Sequence, residues 1–137
     1  YTYSGITMDA VLFPDWMADL AQSIGKETGH PFNRALVNYY RDGSDSVDWH
    51  ADDEPELGPD PIISSLSLGA ERVFQLRHNI TGEILSISLP HGSLLLMGSR
   101  VQHFYQHRLA KVKALNSPRV NFTFRYMDNQ KELSGQP

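Results

Sequence analysis

The sequence predicts a mainly β domain, a sandwich or jelly roll, with one helix near its N-terminus. One segment near the start has helical periodicity, and about seven short segments with strand character follow it, separated by turn residues. The chain has 137 residues, enough for one domain with a full hydrophobic core. We therefore expect residues 1–137 to form a single domain whose polar tail, residues 128–137, is frayed.

The predicted helix covers residues 14–28. Pro14 suits a first helical turn, and Gly29 follows the last one and ends the helix. Large apolar residues recur every four positions, which predicts one apolar face. These residues are Trp16, Leu20 and Ile24.

The predicted strands follow the helix in close succession. They are residues 35–40, 62–68, 72–78, 83–89, 93–97, 101–108 and 119–126. Asn79–Gly82 is a good hairpin turn between two of them, and the apolar segment 93–97 is typical of a buried strand. Between the first two strands, residues 48–56 form a loop in which five of nine residues are carboxylates.

Composition excludes several classes of protein. The chain has no cysteine, so it contains no disulfide, zinc finger or iron–sulfur cluster held by thiolates. Its formal charge of −4 argues against a surface that binds nucleic acid all over, although a local basic stripe remains compatible with it. Apolar segments are too short to span a bilayer, and we see no signal peptide, so we expect an intracellular protein of the cytoplasm or nucleus, not a secreted one.

His50 and Asp52 are the first candidates for a metal site. They are two positions apart, so on an extended segment their side chains point to the same side. Two histidines and one carboxylate form the ligand set of non-haem Fe(II) oxygenases, and zinc can use the same ligands. From the residues alone the third ligand stays open. The candidates are His30, His78, His91, His103 and His107.

The last predicted strand carries a second pattern. Arg119, Asn121, Thr123 and Arg125 alternate with apolar residues, so all four polar side chains lie on one face. That face fits an ordinary solvated strand, but it also fits a polar barrel interior. Arginine is the preferred residue for bidentate capture of carboxylates. The pattern therefore suits a site for a small dicarboxylate.

Taken together, these motifs resemble the AlkB family of Fe(II)- and 2-oxoglutarate-dependent nucleic-acid dealkylases, in particular its eukaryotic-type DNA-repair homologues. The resemblance covers nearly the whole chain in order and with compatible spacing. It implies the double-stranded β-helix, a jelly roll of the Fe(II)/2-oxoglutarate dioxygenase type. The matching segments are residues 38–43, 50–54, 65–69, 89–97, 103–107 and 118–125.

The resemblance also implies roles for individual residues. Fe(II) would be bound by His50, Asp52 and His107, the last chosen by its spacing to the final motif, with His103 as the alternative. The residues implied to contact 2-oxoglutarate are Asn38, Tyr40, Arg119, Asn121, Thr123 and Arg125. Those implied to contact the substrate are Tyr1, Thr2, Tyr3, Asp53 and Glu54.

The implied reaction is oxidative dealkylation of 1-methyladenine- or 3-methylcytosine-type bases in DNA or RNA. It would couple decarboxylation of 2-oxoglutarate, with O₂, to hydroxylation of the N-methyl group and release of formaldehyde. The base must be flipped out or single-stranded. Asp53 and Glu54 would favour a cationic base. The family's N-terminal nucleotide-recognition lid precedes the segment that here begins at Tyr1, so this sequence covers the catalytic core without the lid. We expect either that the lid belongs to a longer protein or that this is a reduced form with looser recognition.

Three other functions fit parts of the pattern. A 2-oxoglutarate oxygenase acting on a protein or lipid would use the same iron site. A non-catalytic metal-binding jelly roll needs only the three metal ligands. A zinc hydrolase could use the same ligands, but it also needs a general base, and no residue near them fits that role once Asp53 is assigned to the substrate. Nothing in the sequence requires an oligomer or a membrane partner, so we expect a monomer that acts on nucleic acid. Basic residues are few near the final motif, so we expect modest affinity and strong salt dependence.

Overall fold

The computed structural model describes residues 2–3, 6–7 and 12–128. Two short strands, β1 (Thr2–Tyr3) and β2 (Ile6–Thr7), pair antiparallel at the start. Apart from Asp128, the predicted frayed tail lies outside the described residues.

The predicted helix is confirmed as α1 (Asp15–Thr28), which Pro14 precedes in extended conformation. Gly29 ends it with φ +77°, a left-handed conformation that glycine adopts without strain, and its N–H donates to the Gly25 carbonyl. Trp16, which was predicted on the apolar face, is 58% exposed, so the buried face of the helix is rotated from the predicted one. The buried residues are Met17, Ala21 and Ile24.

Eight further strands form two four-stranded antiparallel sheets, as a jelly roll requires. We call the sheet with order β3-β10-β5-β8 the major sheet and the one with order β4-β9-β6-β7 the minor sheet. The strands are β3 (Arg34–Tyr40), β4 (Val47–His50), β5 (Ile63–Gly69), β6 (Arg72–His78), β7 (Ile84–Leu89), β8 (Leu94–Met97), β9 (Tyr105–Leu109) and β10 (Arg119–Arg125).

Two segments differ from the prediction. Residues 47–50 form strand β4, whereas the sequence placed most of them in an acidic loop, and a single 3₁₀ turn at Pro55–Leu57 is the only regular structure in the rest of that loop. The predicted strand 101–108 begins as a short helix, α2 (Val101–Phe104), before β9. His103 and His107 therefore do not share a strand face.

The strand β8 is less buried than predicted. Leu94 and Leu96 are 38% and 40% exposed, while Met97 is buried. β8 lies at an edge of the major sheet, and neither Leu94 nor Leu96 belongs to the apolar cluster that α1 covers.

Two apolar clusters hold these layers together. One lies between the sheets and includes Ile63, Phe74 and Leu89. The other joins α1 to the outer face of the major sheet through Phe122 and Phe124 of β10. The outer face of β10 is thus buried by the helix, and its inner face is left for polar residues. Among the residues described, no helix has the length and apolar character that a membrane crossing requires.

Candidate functional site

Three side chains that can bind a metal ion converge between the sheets. His50 ends β4, Asp52 follows two residues later, and His107 lies on β9 directly opposite His50 in the ladder. One potential ligand atom from each residue lies within 4.8 Å of the others. Within the described part of the chain, no other group of His, Asp or Glu residues meets this spacing. The structure thus brings together the three predicted ligands.

His50 is oriented by its own strand. The Nδ1–H of its ring donates to the carbonyl of Asp48 at 2.7 Å. A carbonyl only accepts, so in the neutral ring the other nitrogen, Nε2, carries the lone pair that a metal needs. The imidazoles of His50 and His107 lie edge to face, with 4.3 Å between their centroids.

His107 is buried and electrically neutral near pH 7. Burial lowers its pKa to about 4; Asp52 opposes this shift, and His50 and Arg125 add to it. Its Nε2 lies 3.7 Å from an Asp52 carboxylate oxygen, and its Nδ1 is buried with no hydrogen-bond partner in the described residues. A neutral imidazole is the form that binds metal, so this residue fits a ligand role.

Asp52 is almost fully buried, at 2% exposure, and two neighbours hold it. Its carboxylate forms an ion pair with Arg125 at 3.0 Å. Its backbone N–H donates to the side-chain oxygen of Gln102 at 2.9 Å, and Gln102 in turn contacts the sulfur of Met97. The sequence analysis did not single out Gln102, because its position in α2 becomes meaningful only in three dimensions. Two imidazoles and one carboxylate, held in this way, fit an Fe(II) ion.

The polar face of β10 points into the space between the sheets. Its four residues are all buried, which rules out the solvated strand that the sequence also allowed. Thr123 donates to the side-chain oxygen of Asn121 at 2.7 Å, and the Asn121 amide donates to Ser65 at 2.7 Å. The four residues are Arg119, Asn121, Thr123 and Arg125.

Arg119 forms the end of the cavity away from the metal ligands. Its guanidinium donates to Ser67 at 2.8 Å and lies 5.2 Å from the ring centroid of Tyr40. Burial raises the pKa of Tyr40, against the opposing effect of Arg119. The Nε of Arg119 is buried without a hydrogen-bond partner among the described residues. An unpartnered buried donor on a cation suits an anionic ligand.

Arg72 supports this end from behind, and the sequence analysis missed it. It is 2% exposed, and its guanidinium lies 5.6 Å from the ring centroid of Tyr40. It donates to the main-chain carbonyls of Asp45 and Ala110 at 2.9 and 2.8 Å. A buried arginine in a strand carries no motif of its own, so only its neighbours reveal this role.

All nine residues predicted to bind metal or 2-oxoglutarate line one cavity between the sheets. The metal ligands and the arginine-bearing face of β10 therefore share one cavity. The nine residues are Asn38, Tyr40, His50, Asp52, His107, Arg119, Asn121, Thr123 and Arg125.

The predicted substrate residues whose side chains are described do not line the metal cavity, and the remaining side chains lie outside the described residues. Asp53 is exposed and lines a separate shallow concavity with Gln102 and His103, next to the metal ligands. Glu54 is half-buried and does not line that concavity. Tyr1 lies outside the described residues, and so do the side chains of Thr2 and Tyr3. The structure therefore brings only Asp53 of this set into a candidate substrate surface.

Comparisons with known proteins agree with this geometry. Residues 1–125 match the family model of the 2OG-Fe(II) oxygenase superfamily. The chain is 46% identical to human alpha-ketoglutarate-dependent dioxygenase alkB homolog 3, over 91% of the chain and 47% of that protein. The mouse protein of the same name is 45% identical with the same coverage. The chain thus spans about half the length of these relatives.

One further relative supports the same family, and one solved structure supports the fold. The chain is 38% identical to DNA oxidative demethylase ALKBH2 of Mus musculus, over 91% of the chain and 56% of that protein. Among solved structures, one described as the structure of OsALKBH1 superposes with a TM-score of 0.64 at 18% identity, covering 83% of this chain and 66% of that one. At this identity the superposition establishes the jelly-roll fold alone.

Proposed function

The chain belongs to the 2OG-Fe(II) oxygenase superfamily, and on this premise we propose that it oxidatively dealkylates N-alkylated nucleobases in DNA or RNA. One observation carries the proposal: the three metal ligands and the arginine-bearing face of β10 line the same cavity. A module that only binds metal has no use for the buried cation Arg119 or its partner Tyr40. The AlkB resemblance stated from the sequence is supported by relatives named for this chemistry.

Fe(II) would be held by His50, Asp52 and His107, and 2-oxoglutarate by the polar face of β10. The chemistry that this pair supplies when bound is the activation of O₂, coupled to decarboxylation of 2-oxoglutarate, which hydroxylates an N-methyl carbon and releases it as formaldehyde. The protein itself binds Fe(II) and 2-oxoglutarate, orients them and shields them from bulk water.

The two arginines of β10 have different tasks in this proposal. Arg119, with its unpartnered Nε and its contact to Tyr40, binds the distal carboxylate of 2-oxoglutarate. Arg125 lies at the metal end, where its ion pair with Asp52 holds that ligand in place. Asn121 and Thr123 fix the spacing between the two ends through their mutual hydrogen bond.

The proposed substrate is a cationic base such as 1-methyladenine or 3-methylcytosine. Asp53 supports this choice, because it adds a carboxylate to the concavity beside the metal ligands. A carboxylate favours a base that carries a positive charge over a neutral one. We further propose that the protein acts as a monomer in the cytoplasm or nucleus, where nucleic acid is present.

The test is to measure succinate and formaldehyde together. The reaction contains Fe(II), ascorbate, 2-oxoglutarate, O₂ and an oligonucleotide with 1-methyladenine or 3-methylcytosine. We expect both products in step, and neither from His107→Ala. His30→Ala is the matched control: it removes a histidine that lines neither the metal cavity nor the concavity of Asp53, and it should keep succinate release.

The products separate the possible outcomes. Succinate without formaldehyde would support the proposed oxygenase activity but contradict the proposed nucleobase substrate for this chain. Neither product, from folded and iron-loaded protein, would favour the non-catalytic metal-binding module.

A further inference from the structure

The outer face of the minor sheet, opposite the metal site, carries an ordered stack around Trp49. The guanidinium carbons of Arg77 and Arg108 lie 4.3 and 4.6 Å from the centroid of its rings. Trp49 belongs to β4, Arg108 to β9 and Arg77 to β6. The contacts therefore connect three adjacent strands of the sheet through one aromatic side chain.

Two glutamines hold the arginines of this stack in place. Arg77 donates to Gln106 at 2.9 Å, and Arg108 donates to Gln75 at 2.8 Å. Each pair joins residues directly opposite one another on β6 and β9. Between the two pairs, on the inner face, Leu76 lies opposite His107. The platform under Trp49 is thus built on the strand that carries a metal ligand.

The strand that Trp49 belongs to has little else to fix it. β4 is an edge strand of four residues, and among the described residues its one strand partner is β9. Its register shifts between Val47 and His50: three steps on β4 match the two steps from Leu109 to His107 on β9. One extra residue of this kind is a β-bulge, which locally interrupts the ladder of hydrogen bonds.

The bulge also orients a metal ligand. The N–H of Trp49 donates to the Asp48 carboxylate at 2.8 Å, and the Asp48 carbonyl accepts from the His50 ring at 2.7 Å. Any movement of β4 along or away from β9 would move this carbonyl, the His50 ring and Asp52 together, relative to His107.

We propose that Trp49 is a positioning residue for the metal centre, which acts by fixing the bulged edge strand β4 on the platform formed by Arg77 and Arg108. The inference rests on the proposed metal site. Trp49 does not touch the metal ligand atoms; its side chain lies on the outer face, and it acts through the backbone of Asp48 and through His50. Outer groups that orient metal ligands commonly determine metal affinity.

The test is a Mn(II) titration of metal-free protein, with free Mn(II) followed by EPR. We expect Trp49→Ala to weaken Mn(II) binding about 10- to 100-fold, the usual effect of losing a group that orients a ligand. Trp49→Phe, which keeps an aromatic face over the two guanidiniums, should recover most of the affinity. Trp16→Ala is the matched control, because it removes the other tryptophan, on α1, and should leave Mn(II) affinity unchanged.

Folded Trp49→Ala with wild-type Mn(II) affinity would overturn the inference, and so would an equal loss of affinity in Trp16→Ala. If Trp49→Ala does not fold, Arg108→Met replaces it; a severalfold weaker Mn(II) affinity supports the inference and an unchanged one overturns it. Failure of the unmodified chain to bind Mn(II) at all would instead refute the proposed metal site.

Discussion

At the scale of single residues, the ion pair between Arg125 and Asp52 has a clear energetic role. Both side chains are at most 3% exposed, and the two atoms are 3.0 Å apart. A buried carboxylate without a partner is very costly. His107, beside Asp52, is neutral near pH 7 and supplies no positive charge. Arg125 therefore balances the charge of Asp52 whenever no metal ion does.

We predict that Arg125→Gln lowers the free energy of unfolding of the metal-free protein by about 3–5 kcal/mol, because it leaves a buried charge uncompensated. Urea unfolding measures this. The double variant Arg125→Gln/Asp52→Asn should recover part of the loss, since neither charge remains. Arg41→Gln, which breaks the exposed pair with Asp45, should cost much less. A loss for Arg125→Gln no larger than for Arg41→Gln would contradict the prediction.

Asp53 is the residue on which substrate preference can be tested. We predict that Asp53→Ala reduces formaldehyde release from methylated bases more than it reduces 2-oxoglutarate turnover without a nucleic acid, because Asp53 lies outside the cavity that binds the co-substrate. Glu56→Ala, an exposed acid of the same loop outside the concavity, is the control and should change neither rate. Equal losses of both activities in Asp53→Ala would refute this role.

Residue patterns in the sequence predicted the part of the site that lies on regular strands. Arg119 to Arg125 alternate along β10, so their shared face was visible without coordinates. The roles of Gln102 and Arg72 were not visible, because each acts on the site through residues at least 27 positions away in the chain. The role of Trp49 was not predictable either, because cation–π contacts across three strands produce no recognisable spacing in the sequence.

At the scale of secondary structure elements, irregular backbone explains the errors of prediction. β4 is short and contains a bulge, so the alternation that marks a strand is broken within its four residues. In α2, a single helical turn precedes β9 without a break, and apolar residues in both elements resemble one long strand. Longer elements with a regular period, such as α1 and β6, were predicted within one residue at each end.

The end of β5 depends on a glycine at a close approach to β10. Gly69 has φ +97°, and a Cβ there would lie 2.5 Å from the Pro118 carbonyl oxygen and 3.2 Å from the Cα of Arg119. Arg119 is its partner in the ladder. A side chain at this position would therefore displace the backbone that carries the proposed carboxylate-binding arginine.

We predict that Gly69→Ala lowers stability by more than the roughly 1–2 kcal/mol that a left-handed backbone costs a non-glycine residue. It should also raise the KM for 2-oxoglutarate. Gly82→Ala is the matched control: its φ is +73°, but nothing lies within 4 Å of the new Cβ. Thermal unfolding and co-substrate kinetics measure both effects. If the two variants lose the same stability and keep the same KM, the close approach has no role.

At the scale of the whole molecule, metal binding should stabilise the fold, because the ligands come from two strands that only the folded state brings together. We predict that Mn(II) at about 100 times its Kd adds about 2.7 kcal/mol, which for a domain of this size raises Tm by roughly 10 °C. His107→Ala should abolish the shift. 2-Oxoglutarate should add a further shift mainly when Mn(II) is present.

A thermal shift assay with the four combinations of Mn(II) and 2-oxoglutarate tests this. A full shift from 2-oxoglutarate alone would show that the co-substrate binds without the metal, against the shared site that we propose. A Mn(II) shift that persists in His107→Ala would place the metal elsewhere.

The fold class itself was predictable from the sequence. One amphipathic helix followed by many short strands indicated a jelly roll, and the structure has two four-stranded sheets. Sheet order was not predictable, because the strand that lines the cavity, β10, pairs with β3 and β5, which are far from it in the chain. Such pairings depend on the closure of the whole molecule.

The position of β4 at a sheet edge has a consequence for how a bound ion would leave. β10 has neighbours on both sides, whereas within the described part of the chain β4 pairs with β9 alone. Edge elements of this kind open locally with far less free energy than global unfolding requires. Detachment of β4 would move His50 away from His107 while the rest of the sheets stay closed. Ion exchange would then be a subglobal event, whose rate follows amide hydrogen exchange in β4 rather than the unfolding rate of the domain.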